Sequence, residues 1–287
     1  MTKDVEFPPD RAGAADAVGP MSDGAPAVPP LPAGLGAAGD PREPLRAWSG
    51  RLPAGFAMPA HAHPRAQLAL CFDGLMRLEV GEDIWFIPDR HGVWIPPGLG
   101  HALSARAPVE LQNFYVHPRF VPFCGLPDRP TVVRATPLLR GIARRLAPDA
   151  SARPSAAQSR RLAFVALDEM TRLERADLHL PGARDPRLAA VMEALLADPG
   201  ARQGLAGLAA RAGVSERTLG RLFRAETGLS WRDWHQRLRF LLAIEGLESG
   251  ETSGALAARL GYSSASAFIA AFRRQFGVPP SAWRRAP

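Results

Sequence analysis

The stretch LAGLAARAGVSERTLGRLFR, residues 205–224, decides the fold of the C-terminal half of this chain. Its leucines recur at helical spacing on both sides of Gly213, and a glycine can take the positive φ that ends a helix sharply. Ser215 is a favourable N-cap for the next helix. Two helices joined by so tight a turn predict a helix-turn-helix unit. The outward positions of its second helix are Glu216, Arg217, Gly220, Arg221 and Arg224.

The same pattern recurs in ALAARLGYSSASAFIAAFRR, residues 255–274, where Gly261 marks the turn. Between the two units, residues 231–247 predict a helix of 17 residues, which would be about 25 Å long. A helix of that length would hold the units roughly one DNA turn, ~34 Å, apart. The repeat therefore predicts two reading heads that enter successive major-groove surfaces on one side of a duplex.

Residues of about 185–285 resemble the C-terminal DNA-binding domain of the AraC-type (arabinose-regulator-like) transcription factors. The resemblance rests on an ordered run that includes Leu208, Gly213, Val214, Ser215, Leu219, Arg221, Leu222, Phe223, Glu226, Gly228, Arg239, Leu260, Gly261, Tyr262, Phe268, Phe272, Phe276 and Pro280. It implies that Arg217, Gly220 and Arg221 occupy base-reading positions. The second unit departs from the family pattern, in which Gln or Arg is frequent at the matching positions. Those positions are Ala265, Ser266, Ile269 and Ala270.

The full set of residues expected to contact DNA comes from both units. Arginines are suited to bidentate contacts with guanine and phosphate, and Arg224 and Arg273 are the expected phosphate contacts. The expected DNA-binding residues are Ser215, Arg217, Gly220, Arg221, Arg224, Ser264, Ser266 and Arg273.

The N-terminal half has a different hydropathy pattern, with short apolar runs separated by turn signals such as Asp73-Gly74. Runs of this length predict antiparallel strands of a sandwich or barrel. The fold class is therefore α+β, with an N-terminal antiparallel β barrel followed by an all-α tandem helix-turn-helix domain. The predicted strands are residues 67–72, 75–80, 84–87, 92–95 and 109–116.

A histidine motif in this half resembles the first motif of the cupin barrel, in which Glu stands where this chain has Gln67. The spacing predicts that His61 and His63 lie on the same face of a strand, because side chains repeat with period 2. His101 follows a stretch that resembles the second cupin motif. We expect His61, His63, Gln67 and His101 to line the pocket of a small effector. No cofactor is expected; the alternative is a divalent metal held by His61, His63 and His101.

Charge and composition divide the chain further. The net charge is +7, and Lys3 is the only lysine among 35 basic residues. Residues 129–287 account for +11, which favours a polyanionic partner for the helical half. Residues 1–44 are rich in Pro, Gly and Ala and predict a disordered arm. The remaining boundaries are a sensor domain at 45–135, a helical dimerisation and coupling region at 136–180, a linker at 181–187 and the DNA-binding domain at 188–287.

The sequence thus predicts a sequence-specific transcription regulator, controlled by an effector, and not an enzyme. Two alternatives stay open: a metal-dependent cupin enzyme fused to a DNA-binding module, and an architectural protein that binds any DNA sequence. By resemblance, the coupling helices make a homodimer. The expected partners are double-stranded promoter DNA, a small-molecule effector and a second copy, with RNA polymerase as a further candidate. Two cysteines, no membrane span and no signal peptide lead us to expect a cytoplasmic protein.

Overall fold

The computed structural model describes residues 34–147, 154–201 and 203–283. Its N-terminal half consists of antiparallel strands that form two sheets. The strands are β1 Leu45–Leu52, β2 Phe56–His61, β3 Ala66–Phe72, β4 Met76–Val80, β5 Asp83–Ile87, β6 His91–Ile95, β7 His101–Ala105, β8 Val109–Val116, β9 Thr131–Arg134, β10 Arg175–Ala176 and β11 His179–Leu180.

One sheet has the strand order β1-β8-β3-β6-β9-β10, and the other has the order β11-β5-β4-β7-β2. Strand β3 is buried along its whole length because it lies between β8 and β6. Apolar side chains from both sheets, such as Val93 and Leu103, meet in one core cluster. The predicted cupin-like β domain is confirmed.

All five predicted strands are present, each within one residue of its expected start. The sequence pattern missed β1, β2, β7, β9, β10 and β11. These strands carry more polar or half-exposed residues, such as Arg46, Pro59 and Ser104, so their apolar periodicity is weaker. They complete both sheets, and β2 and β7 also carry two of the three pocket histidines.

The predicted disordered arm, residues 1–44, lies largely outside the described residues, which begin at 34. Residues within 34–44 are hydrogen-bonded to the β domain, so contacts with this domain begin before the expected boundary at residue 45. The fully buried guanidinium of Arg65 donates to the carbonyl oxygens of Ala37 and Ala38, both at 2.9 Å. Because a buried cation needs partners, these contacts fix this end of the chain on the domain.

Helices follow the β domain. They are α1 Pro137–Leu146, α2 Ala156–Met170, α3 Pro186–Ala197, α4 Leu205–Arg211, α5 Glu216–Thr227, α6 Trp231–Glu248, α7 Ser253–Arg259, α8 Ala265–Phe276 and α9 Pro280–Trp283. Helices α1 and α2 pack on the outer face of the six-stranded sheet, with Leu139 and Met170 buried among residues of β1, β3 and β8. Helix α6 has 18 residues, and most of its second half is buried because other elements surround it.

The segment between the two halves is packed rather than free. After α2 the chain returns to the β domain, where β10 pairs with β9 and β11 pairs with β5. Within the predicted linker 181–187, the Gly182 amide donates to the Asp83 carboxylate at 2.8 Å. A Cβ on Gly182 would lie 1.9 Å from the carbonyl oxygen of Glu82, so only glycine fits here. The predicted linker is therefore packed against the β domain at Gly182.

Candidate nucleic-acid interface and effector pocket

The first helix-turn-helix unit consists of α4 and α5. Gly213 has a φ of 64°, and the Ser215 hydroxyl accepts from the Thr218 amide at 3.1 Å, so the turn and the cap form as the sequence predicts. Leu219 and Phe223 are buried against the rest of the domain. The opposite face of α5 is exposed, and its arginines form no ion pair with the described residues. These arginines are Arg217, Arg221 and Arg224.

The second unit, α7 and α8, repeats this backbone with a different surface. Gly261 has a φ of 73°, and the Ser264 hydroxyl accepts from the Ala267 amide at 3.1 Å. The turn is one residue longer, since two residues separate Gly261 from its cap and one separates Gly213 from Ser215. Phe268 and Phe272 fill the interior of this unit. Its exposed face bears Ser266, Ile269, Ala270 and Arg273.

In the β domain, three histidine rings converge. His61 ends β2 and faces His101 at the start of β7, with 4.4 Å between the ring centroids. His63 is 5.2 Å from His101 and 5.8 Å from His61 by the same measure. One ring nitrogen from each histidine lies within 4.8 Å of the others. The expectation that His61 and His63 share a strand face is wrong, since β2 ends at His61 and His63 lies beyond it.

The three histidine rings are oriented by hydrogen bonds to backbone carbonyls and not by a shared strand. The Nδ1 atoms of His61, His63 and His101 lie 3.0, 2.6 and 2.8 Å from the carbonyl oxygens of residues 59, 65 and 99. An Nδ1–H that donates to a carbonyl leaves the lone pair on Nε2. The Nε2 atoms of His61 and His101 are therefore the groups that face a bound molecule, whereas His63 Nε2 lies 2.9 Å from the side-chain oxygen of Gln67.

Two further observations define the chemistry of this pocket. The Nε2 atom of His101 is buried and has no hydrogen-bond partner in the part of the chain that the structure describes. Burial lowers the pKa of His101 to about 4, so its ring is neutral at pH 7. The side-chain amide of Gln67 lies 2.9 Å from His63 Nε2 and contacts Asn113 at 2.8 Å. Imidazole nitrogens and side-chain amides suit a polar or coordinating ligand, and Gln67 supplies no carboxylate.

Comparisons with known proteins agree with both halves. The family described as AraC-like ligand binding domain matches residues 53–165, and the family described as Helix-turn-helix domain matches residues 208–286. The chain is 33% identical over 222 residues to the HTH-type transcriptional regulator NimR of Escherichia coli (strain K12), covering 77% of this chain and 80% of NimR. It is 31% identical over 225 residues to an AraC-like transcription regulator of Streptomyces lividans, covering 75% and 68%.

The chain belongs to the AraC-like transcription regulators. It has the ligand-binding N-terminal domain and the C-terminal helix-turn-helix DNA-binding domain of this family. A crystal structure of the DNA-binding domain of AdpA in complex with a target DNA is 36% identical, and it covers 34% of this chain and 90% of its own with a TM-score of 0.33. No helix in the described residues is long and apolar enough to cross a membrane.

The structure also shows a contact between the halves of this AraC-like regulator that sequence reasoning missed. The buried Glu245 of α6 accepts from Arg77 of β4, through Nε at 2.7 Å and through Nη2. Arg106 approaches the same carboxylate at 3.7 Å. A charged residue inside the apolar run FLLAIEGL was the available signal, since a buried carboxylate needs a partner. The partner itself was hidden, because Arg77 and Glu245 are 168 residues apart.

A second interdomain contact lies nearby. Arg237 of α6 donates through Nε to the carbonyl oxygen of His179 in β11 and forms an ion pair with Asp177. Trp234 Nε1 donates to the Pro181 carbonyl at 2.7 Å. Helix α6, which joins the two helix-turn-helix units, therefore rests directly on the sensor domain.

Proposed function

We propose that this regulator binds promoter DNA sequence-specifically with both helix-turn-helix units and that a small effector in the histidine pocket controls it in the cytoplasm. One observation carries the DNA-binding part: α5 and α8 are serine-capped helices of equal length, and both expose arginines that lack ion pairs among the described residues. Free guanidinium groups are available to phosphates and to guanine. The first unit supplies the strongest candidates, Arg217 and Arg221.

Binding to the DNA upstream of its own coding region tests this proposal. Fluorescence anisotropy at ~150 mM salt, with random-sequence DNA as competitor, should show ~10³-fold or greater preference for the promoter fragment. Equal affinity for both DNAs would identify an architectural binder instead. The fragment should contain repeated half-sites, as two units per chain require.

The histidine pocket is proposed as the effector site because three histidine rings converge there and the buried His101 Nε2 has no hydrogen-bond partner among the described residues. His61, His63, Gln67 and His101 line it, and the unpaired Nε2 of His101 is free to accept a hydrogen bond from a ligand. Effector-induced change in DNA affinity should be lost in His101→Phe, which keeps a ring of similar size. If an effector found by screening acts equally well on that variant, it binds elsewhere.

A divalent metal is the second candidate for this pocket, and the convergence of one ring nitrogen from each of three histidines favours it. Imidazole nitrogens with backbone-held Nδ1–H groups match the ligands of Zn²⁺ or related ions. A bound metal would supply a positive charge and open coordination positions for an anionic effector. Metal analysis of untagged protein distinguishes the cases, since a stoichiometric ion lost in the His61→Ala, His63→Ala double variant would establish the metal.

The alternative of a metal-dependent enzyme is less well supported. The relatives are transcription regulators, and Gln67 stands where the cupin motif has Glu. Detectable turnover with added Fe or Mn would support this alternative instead.

A homodimer is proposed from exposed apolar residues beside α2. Phe123 is 64% exposed, and Phe164 and Val165 of α2 are 41% and 42% exposed. Large apolar side chains grouped in this way mark protein interfaces. Because the patch lies on the helical region expected to dimerise, the proposed occupant is a second copy of the chain. Sedimentation should show a dimer that Phe164→Glu dissociates; a monomeric wild type would contradict this.

We propose that the Arg77–Glu245 contact couples effector binding in the pocket to the DNA affinity of the DNA-binding domain. An effector alters DNA binding only if it favours one arrangement of the two halves. Arg77→Met removes the contact and should change promoter affinity about fivefold or more, the usual size of allosteric coupling. Arg51→Met, an exposed arginine on β1, is the matched control. Unchanged affinity in Arg77→Met would exclude this path.

A further inference from the structure

We propose that the second helix-turn-helix unit recognises thymines through their C5-methyl groups, with Ile269 as the main contact. The inference rests on the proposed function, in which both units enter the major groove. It concerns the chemistry that the second unit can apply there. In contrast to the first unit, it has no long polar side chain at the positions that match Arg217 and Arg221, which are Ser266 and Ala270.

The two recognition helices can be compared position by position from their serine caps. Gly220 and Ile269 are each the fifth residue after the cap, whereas Arg221 and Ala270 are each the sixth. Arg217 corresponds to Ser266. A face that carries donors in the first unit is thus small and apolar in the second.

Ile269 is exposed although nothing in the domain requires an exposed isoleucine. It is 37% exposed, in contrast to the neighbouring Phe268, which is fully buried. A shallow depression surrounds it, lined by Ser266, Ala270, Arg273, Arg274 and Gly277. Neither arginine forms an ion pair within the described residues. The apolar side chain of Ile269 could therefore meet an apolar group on the floor of the major groove, while the two arginines meet the phosphates on either side.

Among the four bases, only thymine offers such a group in the major groove. Its C5-methyl accepts apolar contact from Ala, Thr or similar side chains, while guanine, adenine and cytosine present donors and acceptors. An isoleucine against those edges would leave polar atoms without partners, which costs binding energy. The Ser266 hydroxyl can donate to or accept from an adjacent base edge. The second half-site is therefore expected to contain thymines opposite Ile269 and Ala270.

Selection from a random duplex library with the full-length chain tests this inference. The selected site should contain two blocks about one turn apart, the second rich in thymine. Synthetic duplexes then replace single thymines of that block by deoxyuridine, which removes only the methyl group. Each replacement at a contacted position should lower wild-type affinity about fourfold, the contribution of burying one methyl-sized apolar group.

Two variants separate the inference from the proposed function. Ile269→Ala should make affinity insensitive to deoxyuridine at the thymine that Ile269 contacts, while the first block stays selected. Arg217→Ala with Arg221→Ala should abolish selection of the first block and keep the deoxyuridine effect in the second. No selected sequence at all would overturn the proposed function. A selected first block with a second block that is random or rich in guanine and cytosine would leave the function standing and overturn this inference.

Discussion

Helices α5 and α8 both have twelve residues, begin after a serine cap and end at a glycine in the left-handed region. Both bury an aromatic residue at the eighth position after the cap, Phe223 and Phe272. Their exposed faces, however, share only an arginine at the ninth position. The comparison teaches that cap, turn and buried aromatic set the fold of such a unit. The exposed residues of the second helix are not constrained by packing, so they can differ between the two units.

The units also differ in how closely their turns are packed. A Cβ on Gly213 would meet nothing within 4 Å, but one on Gly261 would lie 2.7 Å from the carbonyl oxygen of Gly200. The second unit thus packs against the loop between α3 and α4, whereas the first turn is open to solvent. Mutations can test both differences, surface and packing.

The largest effect is expected from the arginines of the first unit. Arg217→Ala and Arg221→Ala should each weaken binding to the selected site by ~1–3 kcal/mol and relax the sequence preference of the first block. Anisotropy titration measures both quantities. Arg129→Ala removes the same charge from an exposed loop of the sensor domain and serves as the control. A double variant that binds as tightly as the wild type would show that α5 does not read bases.

The turn glycines should give the next largest effect, and an unequal one. Gly213→Ala places a side chain at positive φ, which costs ~1–2 kcal/mol of unfolding free energy. Gly261→Ala adds a clash with backbone atoms that cannot rotate away, so we expect a total of about 2–4 kcal/mol. Urea unfolding measures the difference between the two variants. Equal losses would mean that the loop carrying Gly200 yields without cost.

The arginine that the two helices share at the ninth position should contribute equally to DNA binding in both units. Arg224 and Arg273 are both nine residues after their caps and both exposed. As phosphate contacts, each should weaken binding uniformly across sequences when changed to Ala, and each should reduce the slope of log K against log salt by about 1. A sequence-dependent loss in either variant would show that the arginine reads a base.

Sequence reasoning worked best where local chemistry decides the structure. The caps at Ser215 and Ser264 and the turn glycines depend on neighbouring residues, and the structure has them as predicted. It worked less well where distant residues decide. The pocket histidines converge because β2 pairs with β7 and because carbonyls hold their rings, not because His61 and His63 share a strand. Glu245 could be noticed in the sequence, but its partner Arg77 depends on how the domains pack.

The smallest predicted effect concerns Gly220, which nothing in the fold requires. A Cβ there would meet only Leu205 Cδ2, at 3.9 Å, and the helical backbone is one that any residue adopts. A glycine within a helix costs about 1 kcal/mol relative to alanine. Gly220→Ala should therefore raise the unfolding free energy by ~0.5–1 kcal/mol in urea. Glycine at this position is then explained by close approach of the α5 backbone to DNA, so the same variant should bind the selected site more weakly.

Gly141→Ala separates these two effects. Gly141 is an exposed glycine within α1 whose Cβ would also meet nothing, so this variant should gain similar stability and leave DNA affinity unchanged. If Gly220→Ala gained stability without losing affinity, α5 would not approach the groove floor at this position. The two units would then differ at this position. The side chain of Ile269 in α8 would project toward DNA, while α5 would make no close backbone approach at Gly220. A loss of affinity in Gly220→Ala instead means that the first unit docks with its backbone close to the bases, while the second docks through the side chain of Ile269.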